Sequence, residues 1–311
     1  MNFAVLIATR NRPEQLNTLL ISLRSSEKRI SHVTIVSSGI DVSGVVNSHQ
    51  AFLPINHFNS EISGQIVQKI KGIELIPSNT EWVMFLDDDV IMPEYSIDRL
   101  IDNYLTNSDY KDVAGFGLNL NNIELRHSRA LANRFLKIVG LHADTPGAIL
   151  KNGHAQKYLG TTETIYTQWL NGLSVWRYGQ LKNYNPKFSR IDYAAYEDVL
   201  FSYRVSKRNQ LLFASDVYAT SQTFEKFSSL SVQQFKAAAY MRFLFVAENH
   251  ELSKNSMLFT QIFRTLDFIR IGDQGKSVLC RIWHSVKILF DLFFAIITRV
   301  KPLHLLDKRY H

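Results

Sequence analysis

The sequence predicts an α/β fold: a mostly parallel sheet with helices on both faces, followed by a helical C-terminal region. Three observations carry this. Short apolar runs at 3–8, 33–36 and 82–86 alternate with amphipathic segments at helical spacing. Each run ends in a polar loop, as expected of parallel strands whose ligand site lies beyond their carboxyl ends. After residue 222 the strand pattern stops, and helical periodicity alone remains at 232–247, 258–270 and 278–297.

Phe3–Ala8 is the first expected strand. It meets Thr9-Arg10-Asn11-Arg12 without a basic leader or a small-residue cleavage site, so it is expected to be a strand and not a signal peptide. Pro13 suits a first helical position, and Leu16, Leu19, Leu20 and Leu23 give the following helix a core face. Val33–Val36 forms a second strand ending in Ser37-Ser38-Gly39. Ile66, Val67, Ile70 and Ile73 mark a second amphipathic helix. The third strand, 82–86, runs directly into Asp87-Asp88-Asp89. These strand ends bring three polar loops, 9–12, 37–41 and 87–89, to one edge of the sheet. None contains a Gly-rich phosphate loop, which argues against P-loop and dinucleotide folds.

Composition bounds the setting. With 46% hydrophobic and 20% charged residues among 311, the chain is globular and not disordered. A single cysteine, Cys280, excludes an intrachain disulfide framework and a Cys-based zinc cluster, so a cytoplasmic, reducing setting is expected. His127, His142 and His154 have no spacing that makes a metal set. The formal charge is +7, of which +5 falls in 276–311, where seven Lys or Arg face two Asp. The basic excess is terminal and no recognition motif accompanies it, so no nucleic-acid partner is expected.

The triple aspartate is the strongest chemical signal. In an extended chain alternate side chains share a face, so Asp87 and Asp89 are expected to converge while Asp88 points away. Adjacent carboxylates repel unless a cation or strong donors neutralise them. A hard ion, Mg2+ or Mn2+, takes one or two protein carboxylates and completes its shell with water and phosphate oxygens. That chemistry fits a metal bridge to a nucleotide diphosphate. A bare Asp-Asp-Asp is equally a solvated turn or a helix cap.

Val5-Leu6-Ile7-Ala8-Thr9-Arg10-Asn11-Arg12-Pro13, the strand ending at Ser37-Ser38-Gly39, Gly64–Gly72 and Phe85–Asp89 together resemble the nucleotide-sugar-binding half of family 2 glycosyltransferases, which have the GT-A fold. Trp169-Leu170-Asn171-Gly172, with Ser174 and Arg177 behind it, is similar to that family's acceptor-side motif, and Tyr196–Lys207 resembles its catalytic Glu-Asp helix. The resemblance covers 3–222. It implies a catalytic domain over 1–222, with a nucleotide-sugar half (1–95) and an acceptor half (96–222), and a separate helical region at 223–311.

The resemblance also implies roles. Asp198 is the general base, with Glu197 beside it. Thr9, Arg10, Arg12, Ser38, Lys69, Asp87 and Asp88 contact the nucleotide sugar, a UDP-sugar in the first instance. Asp87 and Asp89 hold Mn2+ or Mg2+, and Trp169, Asn171 and Gly172 meet a saccharide or lipid-linked acceptor. Ser37 and Ser38 stand where the family usually has acidic residues, Lys69-Ile70 where Arg-Asn is common, and Gln222 near the family's metal-binding His. The implied activity is metal-dependent inverting transfer of a hexosyl group in bacterial surface polysaccharide synthesis. Inversion needs one carboxylate to take the acceptor's proton and positive charge for the leaving diphosphate, and the separated acidic sites can divide those tasks. A nucleotidyltransferase and a catalytically degenerate glycan- or partner-binding protein are the alternatives.

Two stretches stay open. The polar segment 140–160 reads as a lid over the donor or as a surface excursion. The apolar segment 278–297 is interrupted by Lys287 and Asp291 and is too short in its uninterrupted run to span a bilayer. With the basic residues of 276–311 it suits an anionic membrane surface on the inner face of the plasma membrane. It suits equally a contact with the catalytic domain or with a second subunit of a homo-oligomer.

Overall fold

A computed structural model describes residues 1–121, 134, 136–158, 161–184, 196–222, 230–273 and 275–298. The chain divides into two compact units. One comprises Met1–Leu125, Tyr158–Asp192 and Phe201–Phe224; the other comprises Arg126–Lys157, Tyr193–Leu200 and Glu225–His311. The boundary expected near residue 222 is therefore only part of the division. The second unit also takes two earlier segments, which periodicity cannot detect because it reports local structure and not which segments pack together.

The first unit is built on a nine-stranded sheet. Its strands are β1 (Phe3–Arg10), β2 (His32–Ser38), β3 (Ile55–Asn59), β4 (Trp82–Asp87), β5 (Val90–Ile91), β6 (Val113–Asn121), β7 (Ile165–Thr167), β8 (Ser174–Arg177) and β9 (Gln210–Ser221). The order is β3-β2-β1-β4-β8-β6-β9-β5, with β7 on β9. The three strands expected from sequence are contiguous and parallel: Ala8 lies opposite Val36 on β2 and Asp87 on β4. The sheet turns mixed after β4, because β8 runs antiparallel to both β4 and β6.

The apolar runs give strands buried on both faces, as a sheet covered by helices requires. Phe3, Val5 and Ile7 face a core that includes Leu16, Leu19, Leu20 and Leu23 of α1 (Pro13–Leu23), the helix face expected from their spacing. Ala4 and Leu6 point the other way, into a core with Ile73 of α3 (Gln65–Leu75), Trp176 and Phe201. Short helices α2 (Ser43–His49) and α4 (Ser96–Leu100) follow β2 and β5.

The second unit is largely helical. Helix Val232–Glu248 opens with a capping box in which Ser231 and Gln234 exchange side-chain bonds with each other's backbone N–H. Phe235 stacks at 4.1 Å on Phe268 of helix Lys254–Ile271, and helix Val278–Thr298 follows. Of the polar stretch 140–160, residues 140–157 are an ordered part of this unit. Ile149 and Ala155 form an antiparallel bridge, Gln156 and Gly147 pair across it, and Ser253 N donates to Lys151 O at 2.7 Å. Among the described residues no helix is long and apolar enough to cross a membrane.

Candidate active site

The carboxyl ends of β2, β1 and β4 carry the three polar loops, as the strand alternation predicts. In the first loop Asn11 adopts a left-handed conformation at φ 57°, which asparagine tolerates better than most residues. Its Oδ1 accepts from Ile40 N at 2.9 Å, so the first loop grips the second. Gly39 makes that grip possible: its φ is +83°, and a Cβ there would overlap Asn11 Oδ1.

The three aspartates have separate environments. Asp88 is buried, and its carboxylate accepts from Thr9 Oγ1 at 2.7 Å and from Arg12 Nη1 at 2.9 Å. The same guanidinium nitrogen reaches Asp89 Oδ2 at 3.0 Å. Asp87, at the end of β4, accepts from Gln65 Nε2 at 2.9 Å. Asp87 and Asp88 have different partners, whereas Asp88 and Asp89 share Arg12 Nη1. Asp88 and Asp89 sit in the tight turn that follows β4, and Arg12 joins them.

Burial is the strongest influence on Asp88 and pushes its carboxyl above the ordinary range, against the pull of Thr9 and Arg12. For Arg12 burial opposes the charge, but bonding and attraction to Asp88 and Asp89 prevail and raise its pKa. The pair therefore favours the Arg12 cation, while the cost of desolvation falls on Asp88. One guanidinium against three carboxylates leaves the cluster negative.

A metal ion fits this donor set. Asp87 and Asp89 are partly exposed hard oxygen ligands, whereas Asp88 is committed to Thr9 and Arg12. Asp87 Oδ2 also faces Gly172, where an added Cβ would lie 3.4 Å from it, so glycine keeps the approach to that oxygen open. Among the described residues no three His, Cys, Asp or Glu side chains form a complete metal set, so two carboxylates need ligands from substrate or water.

Other expected positions fall differently. Ser38 is buried, and its Oγ accepts from Gln68 Nε2 at 3.4 Å. Lys69 is buried on α3, with Nζ 5.6 Å from the centre of the Phe85 ring. Arg10 is exposed at the end of β1. Trp169 packs in the interior, its ring 4.8 Å from that of Tyr158, so it shapes the loop through packing. Asn171 stands in that loop with its backbone N–H donating to Tyr158 Oη at 2.7 Å, while its buried Oδ1 has no partner among the described residues. Gln222 braces the aspartate turn: its backbone N donates to Asp89 O at 2.7 Å, and its side-chain nitrogen faces the carbonyls of Gln15, Asp88 and Val90.

Glu197 and Asp198 belong to the second unit and open helix Glu197–Ser206. Tyr196 precedes them in a left-handed conformation at φ 72°, and its hydroxyl donates to Gly153 O at 3.2 Å. Asp198 Oδ1 accepts from Val199 N at 2.8 Å, a position that also favours a carboxylate through the helix dipole. Glu197 is buried and Asp198 is partly exposed.

Three supporting residues escaped sequence reasoning. Gln68 Nε2 donates to Thr9 O at 2.7 Å and Val36 O at 3.0 Å, tying β1 to β2 at the loops. Its only signal in sequence is an amide among the apolar positions of α3. Gln65 shares that helix, and Tyr158 carried no signal.

The fold just described is the GT-A fold. Structural comparison aligns 94% of this chain with 81% of a crystal structure of S. aureus TarS 1–349 in complex with UDP-GlcNAc, at 15% identity and a TM-score of 0.56. A longer TarS structure aligns over 86% of this chain and 44% of its own, at 16% identity and a TM-score of 0.54. A crystal structure of GalNAc-T7 with UDP, GalNAc and Mn2+ aligns over 96% of this chain and 57% of that one, at 13% identity and a TM-score of 0.56. No protein-family model and no curated protein sequence matches the chain.

Proposed function

We propose that this protein is a metal-dependent inverting glycosyltransferase that moves a hexosyl group from a UDP-sugar to a saccharide or lipid-linked acceptor in bacterial surface polysaccharide synthesis. The observation that carries the reading is the net negative cluster at the carboxyl end of β4. Its middle carboxylate is buried against Thr9 and Arg12, and its outer two are partly exposed, Asp87 with one oxygen on Gln65 and Asp89 with one on Arg12. The GT-A fold supports it, and similar structures hold UDP-GlcNAc, or UDP with Mn2+.

Asp87 and Asp89 would hold Mn2+ or Mg2+, which when bound supplies positive charge to the leaving diphosphate. Thr9 and Arg12 hold the Asp88 turn in place, and Arg12 adds a cation beside the nucleotide site. Asn171 Oδ1 offers an acceptor oxygen to a hydroxyl of the sugar or the acceptor. Asp198 takes the proton of the acceptor hydroxyl as its oxygen bonds to the anomeric carbon. The bond from that carbon to the diphosphate oxygen breaks with its electron pair on the leaving group, which inverts the configuration.

The test is a screen of nucleotide sugars for Mn2+-dependent thermal stabilisation, followed by a transfer assay with the donor it finds. Stabilisation by a UDP-sugar with metal, and release of UDP only when an acceptor is supplied, is the expected result. Binding without turnover across acceptors would favour the degenerate binding protein. Release of pyrophosphate from a nucleoside triphosphate would favour the nucleotidyltransferase.

A further inference from the structure

Helix Val278–Thr298 buries Ile288, Leu292 and Ala295 together with three polar residues, and leaves a second apolar face to solvent. Arg281, Ser285 and Asp291 are buried, while Leu279, Trp283, Val286, Phe290, Phe293 and Phe294 stand exposed, Leu279 at 78% and Trp283 at 67%. The exposed residues recur every three or four positions and form one apolar stripe along a helix about 31 Å long. Two of the buried polar groups are tied inward: Tyr240 Oη donates to Asp291 Oδ2 at 2.7 Å, and Arg281 Nη1 donates to Gly272 O. Orientation of this helix is thus set by specific bonds, and the stripe has no cover among the described residues of its unit.

We infer that this stripe docks on an anionic membrane surface, with the helix lying in the plane of the headgroups. Charge selects that occupant. The sole carboxylate of the helix, Asp291, is turned inward, whereas Lys276 and Lys287 are exposed beside the stripe. The sequence from 299 to 311 adds Arg299, Lys301, Lys308 and Arg309 against Asp307. A second copy meeting this face across a two-fold axis would oppose like charges, because such an interface pairs a patch with itself. Anionic lipid supplies the opposite sign, and exposed tryptophan and phenylalanine rings suit the interfacial layer. A spanning mode is not involved, since no described helix is long and apolar enough to cross a bilayer. The inference does not depend on the catalytic reading.

The test is sedimentation of the full chain with sucrose-loaded vesicles of phosphatidylcholine, with or without about one third phosphatidylglycerol. Binding to the anionic vesicles is expected to be at least about tenfold tighter and to weaken with salt. Trp82, Trp169 and Trp176 are buried, so a blue shift of tryptophan emission on binding reports Trp283. Trp283→Phe should remove the shift and retain sedimentation. Phe290→Glu with Phe294→Glu, both at exposed positions, should lower binding at least about tenfold with an unchanged circular dichroism spectrum. Equal binding to the two vesicles, or none, would overturn the inference. So would a stable dimer in light scattering that the double variant dissociates.

Discussion

Thr9 and Asp88 lie 79 residues apart in sequence and are joined by a 2.7 Å hydrogen bond in the interior. The bond fixes the β4 turn against the first loop and removes the middle carboxylate of the triple aspartate from the ligand set. Replacing Thr9 by Val keeps the shape but leaves a buried carboxylate oxygen short of a donor. The expected loss of stability is about 1–3 kcal/mol, read as a shift in urea midpoint, with Thr9→Ser close to unchanged.

Gln65 donates to Asp87 Oδ1 at 2.9 Å and orients a proposed metal ligand without being one. Gln65→Ala should weaken Mn2+ affinity, measured by calorimetry with UDP present, by about 10–100-fold. Asp87→Asn should weaken it further. Unchanged affinity in both would remove Asp87 from the metal site.

Asp198→Asn should lower the rate of sugar transfer by about 10²–10⁴-fold while leaving the affinity for the nucleotide sugar unchanged. Equal loss of binding and turnover would make Asp198 a donor ligand and not the base.

Gly39→Ala should destabilise the protein by roughly 1–2 kcal/mol from the left-handed backbone alone. The clash with Asn11 adds to that, because the new Cβ falls on the oxygen that bonds Ile40 N. Asn11→Ala in the same background removes the clash, so the two changes together should cost less than their sum in urea unfolding.

His154 gives a pH dependence of defined sign. Burial, then the nearby Arg264 and Arg242, hold its imidazole well below the ordinary histidine range, and Arg264 Nη2 donates to its Nδ1 at 2.6 Å. The ring is neutral when folded and takes a proton when unfolded. Below the ordinary histidine pKa the unfolded state therefore binds more protons, and stability falls as pH falls. Thermal midpoints taken from neutral pH downwards should decline, and His154→Gln should flatten the decline.

The candidate site was partly legible. Asp87–Asp89 announced itself as three carboxylates after an apolar run, and the parallel arrangement of β1, β2 and β4 followed from the alternation of strands and helices. Gly172 lies beside Asp87 Oδ2, and Asn171 next to it bonds to Tyr158. Ser38, Lys69 and Trp169 carry the same polar or aromatic signal, yet they are buried, Ser38 beneath Gln68 and Trp169 against Tyr158. A residue type states which chemistry is available. It does not state whether its atoms face solvent, because that depends on a neighbour supplied from elsewhere in the chain.

By itself the sequence determined the alternation of strands and helices, the three parallel strands whose polar ends meet, and the excess of positive charge at 276–311. Those properties are local or additive, set by residue periodicity and formal charge. Tertiary structure alone decided that Asp88 belongs to Thr9 and Arg12, that Gln65 and Gln68 serve the loops, and that the last helix buries Arg281 and Asp291. It also decided that 126–157 and 193–200 join the C-terminal helices. Each of these rests on a contact between residues far apart in sequence, formed because a buried polar group must find a partner wherever the folded chain presents one.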